Sequence, residues 1–357
     1  MTSGGRCPSS SNGCTGTPFD VAVARLVAEV ALAATAGQRV QIANSKERVA
    51  SIRYARYSLY THAMPIDYAA VKSWPFPDVE HRYTARDTLL YALGLGCGSD
   101  PTDPDELQFV FEENLRALPT MAVVLGGSGF WLRNAKTGVD WRKMLHGEQG
   151  LTLHRPLPVA GTVIGRTRIK EIVDKGRERG ALMFTERRIL DKESGAEIAT
   201  LTSTTVMRGD GGFGGPNGPT PTPHRLPERA PDAALDIATL PQAALIYRLS
   251  GDMNPLHADP KIAAAAGFTR PILHGLCSFG IAGRAVLKLA AGNDPARLAQ
   301  MQVRFTAPAY PGETIRTEIW RDGKTVSFRA RALERDAVIL NNGLATIRDL
   351  ASGIGHQ

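Results

Sequence analysis

Residues 274–291, HGLCSFGIAGRAVLKLAA, form an apolar run that stops at Gly292. The run is apolar on almost every face, and Gly275, Gly280 and Gly283 permit close approach, so it predicts a helix wrapped by a sheet rather than a surface helix. Strands follow at once. Met301, Val303 and Phe305 alternate with Gln302, Arg304 and Thr306, and Val326, Phe328, Ala330 and Ala332 alternate in the same way. Asp322-Gly323 predicts a hairpin between Thr314–Trp320 and Thr325–Leu333. A buried helix followed by an antiparallel meander is an α+β hotdog layer.

Working outward, the chain repeats itself. Leu89-Leu90-Tyr91-Ala92-Leu93 matches Leu245-Ile246-Tyr247-Arg248-Leu249, at an offset of 245 − 89 = 156. Leu151-Thr152-Leu153-His154-Arg155-Pro156, with Gly161, matches Val303-Arg304-Phe305-Thr306-Ala307-Pro308, with Gly312, at 308 − 156 = 152. Two matches at nearly one offset predict a duplicated module of roughly 130–150 residues, an ordinary domain size. The expected fold is therefore a double hotdog, each copy a buried helix in an antiparallel sheet. Its halves are 64–208 and 235–357. Residues 209–234, GDGGFGGPNGPTPTPHRLPERAPDAA, form a Gly/Pro-rich linker, flexible at first and stiffer through the prolines. GGFGG opens no helix and lacks a Lys-Ser/Thr partner, so the linker reading outweighs a phosphate loop.

Composition excludes several classes. The chain has 357 residues, a hydrophobic fraction of 43% and a net charge of +7. Residues 1–63 hold seven basic groups and three acidic ones, 7 − 3 = +4, which leaves +3 for the rest. No basic stripe with interleaved aromatics points to nucleic acid, and the modest excess suits a phosphorylated small molecule. No apolar run reaches the length of a membrane span. Cys7, Cys14, Cys97 and Cys277 form no CxxC pair, which argues against a disulfide framework or a zinc site.

The N-terminal 63 residues read as an extension. Residues 1–17 are Ser/Gly-rich and expected to be disordered, 20–36 suit an Ala-rich helix, and a transit peptide or a natural start at Met64 is the alternative account. Beyond Met64, a helix is expected from about Ala85 to Leu93, with Thr84 and Asp87 as a short capping box and Gly94, Gly96 and Gly98 as its stop. The C-terminal Gly-His-Gln is no peroxisomal tripeptide, so a cytoplasmic location is expected.

The chemistry concentrates in Tyr247–Leu276, YRLSGDMNPLHADPKIAAAAGFTRPILHGL. Where the second copy has Ser250-Gly251-Asp252-Met253 the first has Gly94-Leu95-Gly96-Cys97, and the first has no counterpart of His257. A feature of one copy only is not needed for the fold. Asp252, Asn254 and His257 then supply an acid, an amide that fixes orientation and a base across a Pro-containing turn. Gly275 opens the buried helix, where free N–H groups can hold an oxyanion. Other readings are weaker. An Asx turn explains Asp252 alone; an EF-hand fails because its sixth and twelfth positions are His257 and Ala263. A metal on Asp252, His257 and His274 lacks a second pair with ligand spacing, and a serine triad lacks a nucleophile elbow.

The segment YRLSGDMNPLHADPKIAAAAGFTRPILHGLCSFG closely resembles the signature of the hydratase 2 (MaoC-like) family, the (R)-specific 2-enoyl-CoA hydratases. YTARDTLLYALGLG, LPTMAVVLGG, MLHGEQGLTLHRPLPVAG, IVDKG, GGFGG and VRFTAPAYPGETIRTEIW extend the likeness from about Pro65 to Leu350. The resemblance implies a double hotdog that adds water reversibly to trans-2-enoyl-CoA, giving (3R)-3-hydroxyacyl-CoA. It implies that Asp252 and His257 are the catalytic pair, that Asn254 holds them, and that the Gly275 N–H polarises the thioester carbonyl. It further implies that His146, Gly147, Lys175 and Phe305 contact the coenzyme A thioester, with Glu112 a looser match to a functional glutamate. No cofactor is expected beyond the substrate's own coenzyme A, and a homodimer is the expected assembly. The degenerate first half would leave room for the acyl tail. An acyl-CoA thioesterase, a non-catalytic acyl-CoA-binding protein and an acyl-carrier-protein dehydratase are the rival readings.

Overall fold

The protein is described from a computed structural model covering residues 66–349; contacts divide the chain into Met1–Met64 and Pro65–Gln357. The expectations for residues 1–63 lie outside the described residues. The first half contains α1 (Tyr68–Lys72), β1 (Val79–Tyr83), α2 (Ala85–Gly94), α3 (Pro104–Val110), β2 (Met144–Leu153), β3 (Gly161–Asp174), β4 (Ala181–Asp191) and β5 (Glu197–Met207). The second contains β6 (Ala233–Ala238), α4 (Ala243–Tyr247), α5 (Pro260–Ala265), α6 (Gly275–Ala290), β7 (Leu298–Phe305), β8 (Thr314–Asp322), β9 (Thr325–Ala332) and β10 (Ala337–Ile347).

The ten strands form one antiparallel sheet in the order β1-β3-β4-β5-β2-β7-β10-β9-β8-β6. Outward from its centre each strand of the first half faces its counterpart five strands later. At that centre β2 pairs with β7, and Gly150 stands opposite Gln302. Their separation, 302 − 150 = 152, is the repeat offset itself, so a pseudo-twofold axis passes through this pair. The other match, at offset 156, also meets across the halves. Tyr91 and Tyr247, both buried, face each other with ring centroids 5.9 Å apart.

α6 is the axis of the second half. Eleven consecutive residues, Cys277–Leu287, are buried, and fully burying a side chain such as Phe279 or Ile281 contributes about 1.5–3 kcal/mol. The glycines act as the sequence predicts. A Cβ at Gly280 would stand 2.7 Å from Leu95 and one at Gly283 2.6 Å from Thr120, both in the other half. α2 also begins as expected, with the Thr84 N–H donating to Asp87 Oδ2 at 2.8 Å.

Three details depart from the sequence reading. Asp322 still pairs with Thr325, so the hairpin loop is Gly323-Lys324, one residue later than expected; Gly323, at φ +61°, takes the first position of a II′-type turn. The first half carries no counterpart of α6 among the described residues. Its place against α6, β2 and β5 is taken by one short 3₁₀ segment, Pro119–Val124, which Leu125-Gly126-Gly127 cuts off. The linker is also tied down rather than flexible at its start. The Asp174 carboxylate accepts from Gly212 N–H at 2.7 Å and from Gly214 N–H at 2.8 Å, while Asp174 N–H donates to Pro216 O at 2.7 Å. Its last residues enter β6.

Candidate active site

The turn between α4 and α6 is built from the backbone outward. Gly251 adopts φ +121°, a conformation closed to most side chains, and so directs the chain into Asp252. Asp252 Oδ1 accepts from Asn254 N–H at 3.1 Å, and Asn254 Oδ1 accepts from Leu256 N–H at 3.1 Å. Asn254 thereby caps the 3₁₀ turn Pro255–His257 and fixes the bearing of both the carboxylate and the imidazole. His257 is buried, and its Nδ1 lies 2.9 Å from Ile272 O. That contact makes Nδ1 the protonated nitrogen and leaves Nε2 with a free lone pair.

His274 joins the set. Its ring stacks on His257 with centroids 3.7 Å apart, and its Nε2 donates to the Asp252 carbonyl at 3.1 Å. Tyr247 covers it at 5.0 Å. One ligand atom from each of Asp252, His257 and His274 lies within 4.8 Å of the others. One nitrogen of each imidazole donates to a carbonyl, which leaves His257 Nε2 and His274 Nδ1 with their lone pairs. Burial lowers the pKa of both imidazoles; for His274 burial, with the charge of His257 adding to it, takes the value to about 4. Both rings are therefore neutral near pH 7, the state a base requires.

Gly275 follows His274 as the first residue of α6, so its N–H has no partner within the helix. A Cβ there would stand 3.2 Å from the Phe305 ring. Phe305 in turn packs on His146, centroids 4.7 Å apart. Gly147 sits at a bulge of β2 against β5, between His146, paired with Thr205, and Glu148, paired with Thr204; the His146 Nε2 lies 3.0 Å from Glu148 O. His146, Gly147, Phe305, Gly275 and the acid–base turn thus form one continuous wall. Two expected residues stand apart from it. Lys175 lies in the β3–β4 turn and reaches Asn217 O at 3.4 Å, beside the tethered linker. Glu112 is exposed after α3 and shares no hydrogen bond with the wall. In sequence, His274 stands out as a possible metal donor and as the polar turn before Gly275; that position directly before the helix-opening glycine is the signal for its place in the site.

Known proteins carry the same pattern. The MaoC like domain matches residues 223–342, and the MFE-2 hydratase 2 N-terminal domain matches 81–209. A probable enoyl-CoA hydratase 2 of Dictyostelium discoideum is 39% identical over 81% of this chain and 99% of its own. The chain belongs to the MaoC-like hydratase 2 family. A peroxisomal enoyl-CoA hydratase 2 of Arabidopsis thaliana is 36% identical over 78% of this chain and 94% of its own. The crystal structure of a MaoC-like dehydratase from Phytophthora capsici superposes with a TM-score of 0.70 at 38% identity, covering 79% of this chain and 99% of the other. The double hotdog expected from the repeat is thus the fold of this hydratase 2 chain.

Proposed function

We propose that this hydratase 2 chain adds water reversibly to trans-2-enoyl-CoA to give (3R)-3-hydroxyacyl-CoA. The observation that carries the reading is the convergence of Asp252, His257 and the Gly275 N–H on one wall. Water oxygen bonds to C3 while His257 Nε2 takes one of its protons. C2 gains a proton on the same face through Asp252, and the two groups return to their starting states by passing one proton between them. One water and one double bond are consumed. Negative charge developing on the thioester oxygen is received by the Gly275 N–H, a contribution of about 3–4 kcal/mol for one such donor.

No cofactor enters this scheme, since coenzyme A belongs to the substrate. His146, Gly147 and Phe305 are assigned to the thioester, and Lys175, as a flexible cation, to a phosphate of coenzyme A. Glu112 receives no role. Among the described residues no helix is long and apolar enough to cross a membrane. A homodimer and a cytoplasmic location complete the proposal; the Arabidopsis relative is named peroxisomal, so sedimentation with peroxisomes would displace the second.

The test is a panel of trans-2-enoyl-CoA thioesters read for loss of the enoyl chromophore, for thiol release and for product chirality. Loss of chromophore with a (3R) product is expected. Thiol release with the chromophore intact would identify a thioesterase instead, and inertness toward every thioester a binding protein.

A sharper test isolates the oxyanion donor. Gly275→Pro removes the N–H at a helix position that tolerates proline, and His274, at φ −59° and ψ 134°, already has the extended conformation that precedes proline. Gly275→Ala adds a comparable Cβ and keeps the N–H. Gly275→Pro should lower kcat by about 10²–10³-fold relative to Gly275→Ala; equal kcat in the two variants would remove the donor from the mechanism.

A further inference from the structure

The inner face of the first half is divided. Ile189, Ala199, Leu201 and Leu151 belong to one apolar cluster, and Ile172, Ala181, Met183 and Met207 to another. Between them, on the same face by register, runs a polar band. Thr167 stands opposite Arg187, Thr185 opposite Ser203, and Ser203 opposite Gln149. Thr185 and Ser203 share a hydrogen bond of 2.6 Å, which fixes their common side. In the second half α6 fills the corresponding concavity with apolar side chains, whereas here only the short segment Pro119–Val124 enters.

Arg187 is the unusual member of the band. Its Nη2 donates to Val123 O at 2.5 Å and its Nη1 lies against Gly127, yet its Nε is buried without a partner. No described carboxylate forms an ion pair with it. Burial alone lowers its pKa, to about 10, so it remains cationic. A half-buried guanidinium without a counter-ion is costly, and a carbonyl cap needs no charge. The band also leads toward the site. His146, three residues before Gln149 on β2, has its ring against Phe305 beside Gly275. From β2 to β4 the span is two strand spacings, about 10 Å.

We propose that Arg187, at the far end of this band, binds a carboxylate carried by the acyl tail, so that the preferred substrates are ω-carboxylated enoyl thioesters. The inference rests on the hydratase reading for its substrate class. The guanidinium fork takes the terminal carboxylate in the two-pronged geometry that suits it.

The test compares trans-2-decenoyl-CoA with the ω-carboxylated thioester of equal length. Wild-type kcat/KM should favour the acid by about tenfold or more. Arg187→Met should abolish that ratio, and Arg187→Lys, which keeps the charge and loses the fork, should retain part of it. The same ratio taken from dissociation constants of the saturated thioesters requires no turnover, so failure of hydration and failure of this subsite are read separately. Wild-type preference for the uncharged tail, or an unchanged ratio in folded Arg187→Met, overturns the proposal. Should Arg187→Met fail to fold, an Arg187→Lys ratio equal to wild type would overturn the role of the fork, and a wild type without preference that of the cation.

Discussion

His257→Ala lowers the hydration of crotonyl-CoA by about 10²–10⁴-fold, the usual contribution of a positioned acid–base group, while the circular dichroism spectrum stays that of the wild type. His274 is the only stacked neighbour described for His257, and that ring is committed through Nε2 to the Asp252 carbonyl. Asp252→Asn should show a comparable loss without the loss of shape, because asparagine can still accept from the Asn254 N–H. The pH profile carries the same signature. Burial holds the His257 pKa below its ordinary 6.5, so the neutral, active form persists through neutral pH and activity falls only as acid protonates it. An acid limb of kcat/KM with its midpoint below 6.5 is therefore expected in the wild type. Stability moves in the same direction. Below pH 6.5 the unfolded chain takes protons that the folded His257 and His274 refuse, and stability falls until pH approaches about 4, where folded His274 titrates as well. Near-wild-type turnover in His257→Ala would remove this residue from the chemistry.

The second large effect concerns the join between the halves. Arg284 of α6 and Glu106 of α3 form an ion pair, and both are buried. Arg284 Nη1 also donates to Leu95 O at 2.7 Å, and Glu106 Oε2 accepts from Gly98 N–H at 2.8 Å. Glu106→Leu leaves an uncompensated guanidinium in the core and should lower the unfolding free energy by about 3–5 kcal/mol. The double variant Glu106→Leu, Arg284→Met should lose far less, since replacing a buried pair by apolar groups is often neutral. Urea unfolding of the four proteins of the cycle measures this. A loss in Glu106→Leu below about 1 kcal/mol would show a pair no stronger than one at the surface.

Much of this was legible in the chain. The apolar run around Phe279, the alternation of Met301 to Phe305 and the Thr84–Asp87 capping signal are local periodicities, and each became the expected element. Asp252, Asn254 and His257 were legible because six consecutive residues cannot separate far in space. Arg284 with Glu106 is different. The two are 178 positions apart, and neither spacing nor composition links them. Arg187 was equally silent, as one of two consecutive arginines whose neighbour, Arg188, is an exposed partner of Glu197.

The sequence by itself determined the duplication, the helix at its core and the acid, amide and imidazole of one turn, since propensity, periodicity and short spacing act within a few residues. Tertiary structure alone decided what meets that turn. It stacked His274 on His257, brought Phe305 and His146 to Gly275, and set the two copies about an axis through Gly150 and Gln302. Among the described residues it also left the first half without a second α6, and with the short segment Pro119–Val124 in its place. These contacts join residues distant in sequence through strand register and helix burial, and register is a property of the assembled sheet rather than of any one segment.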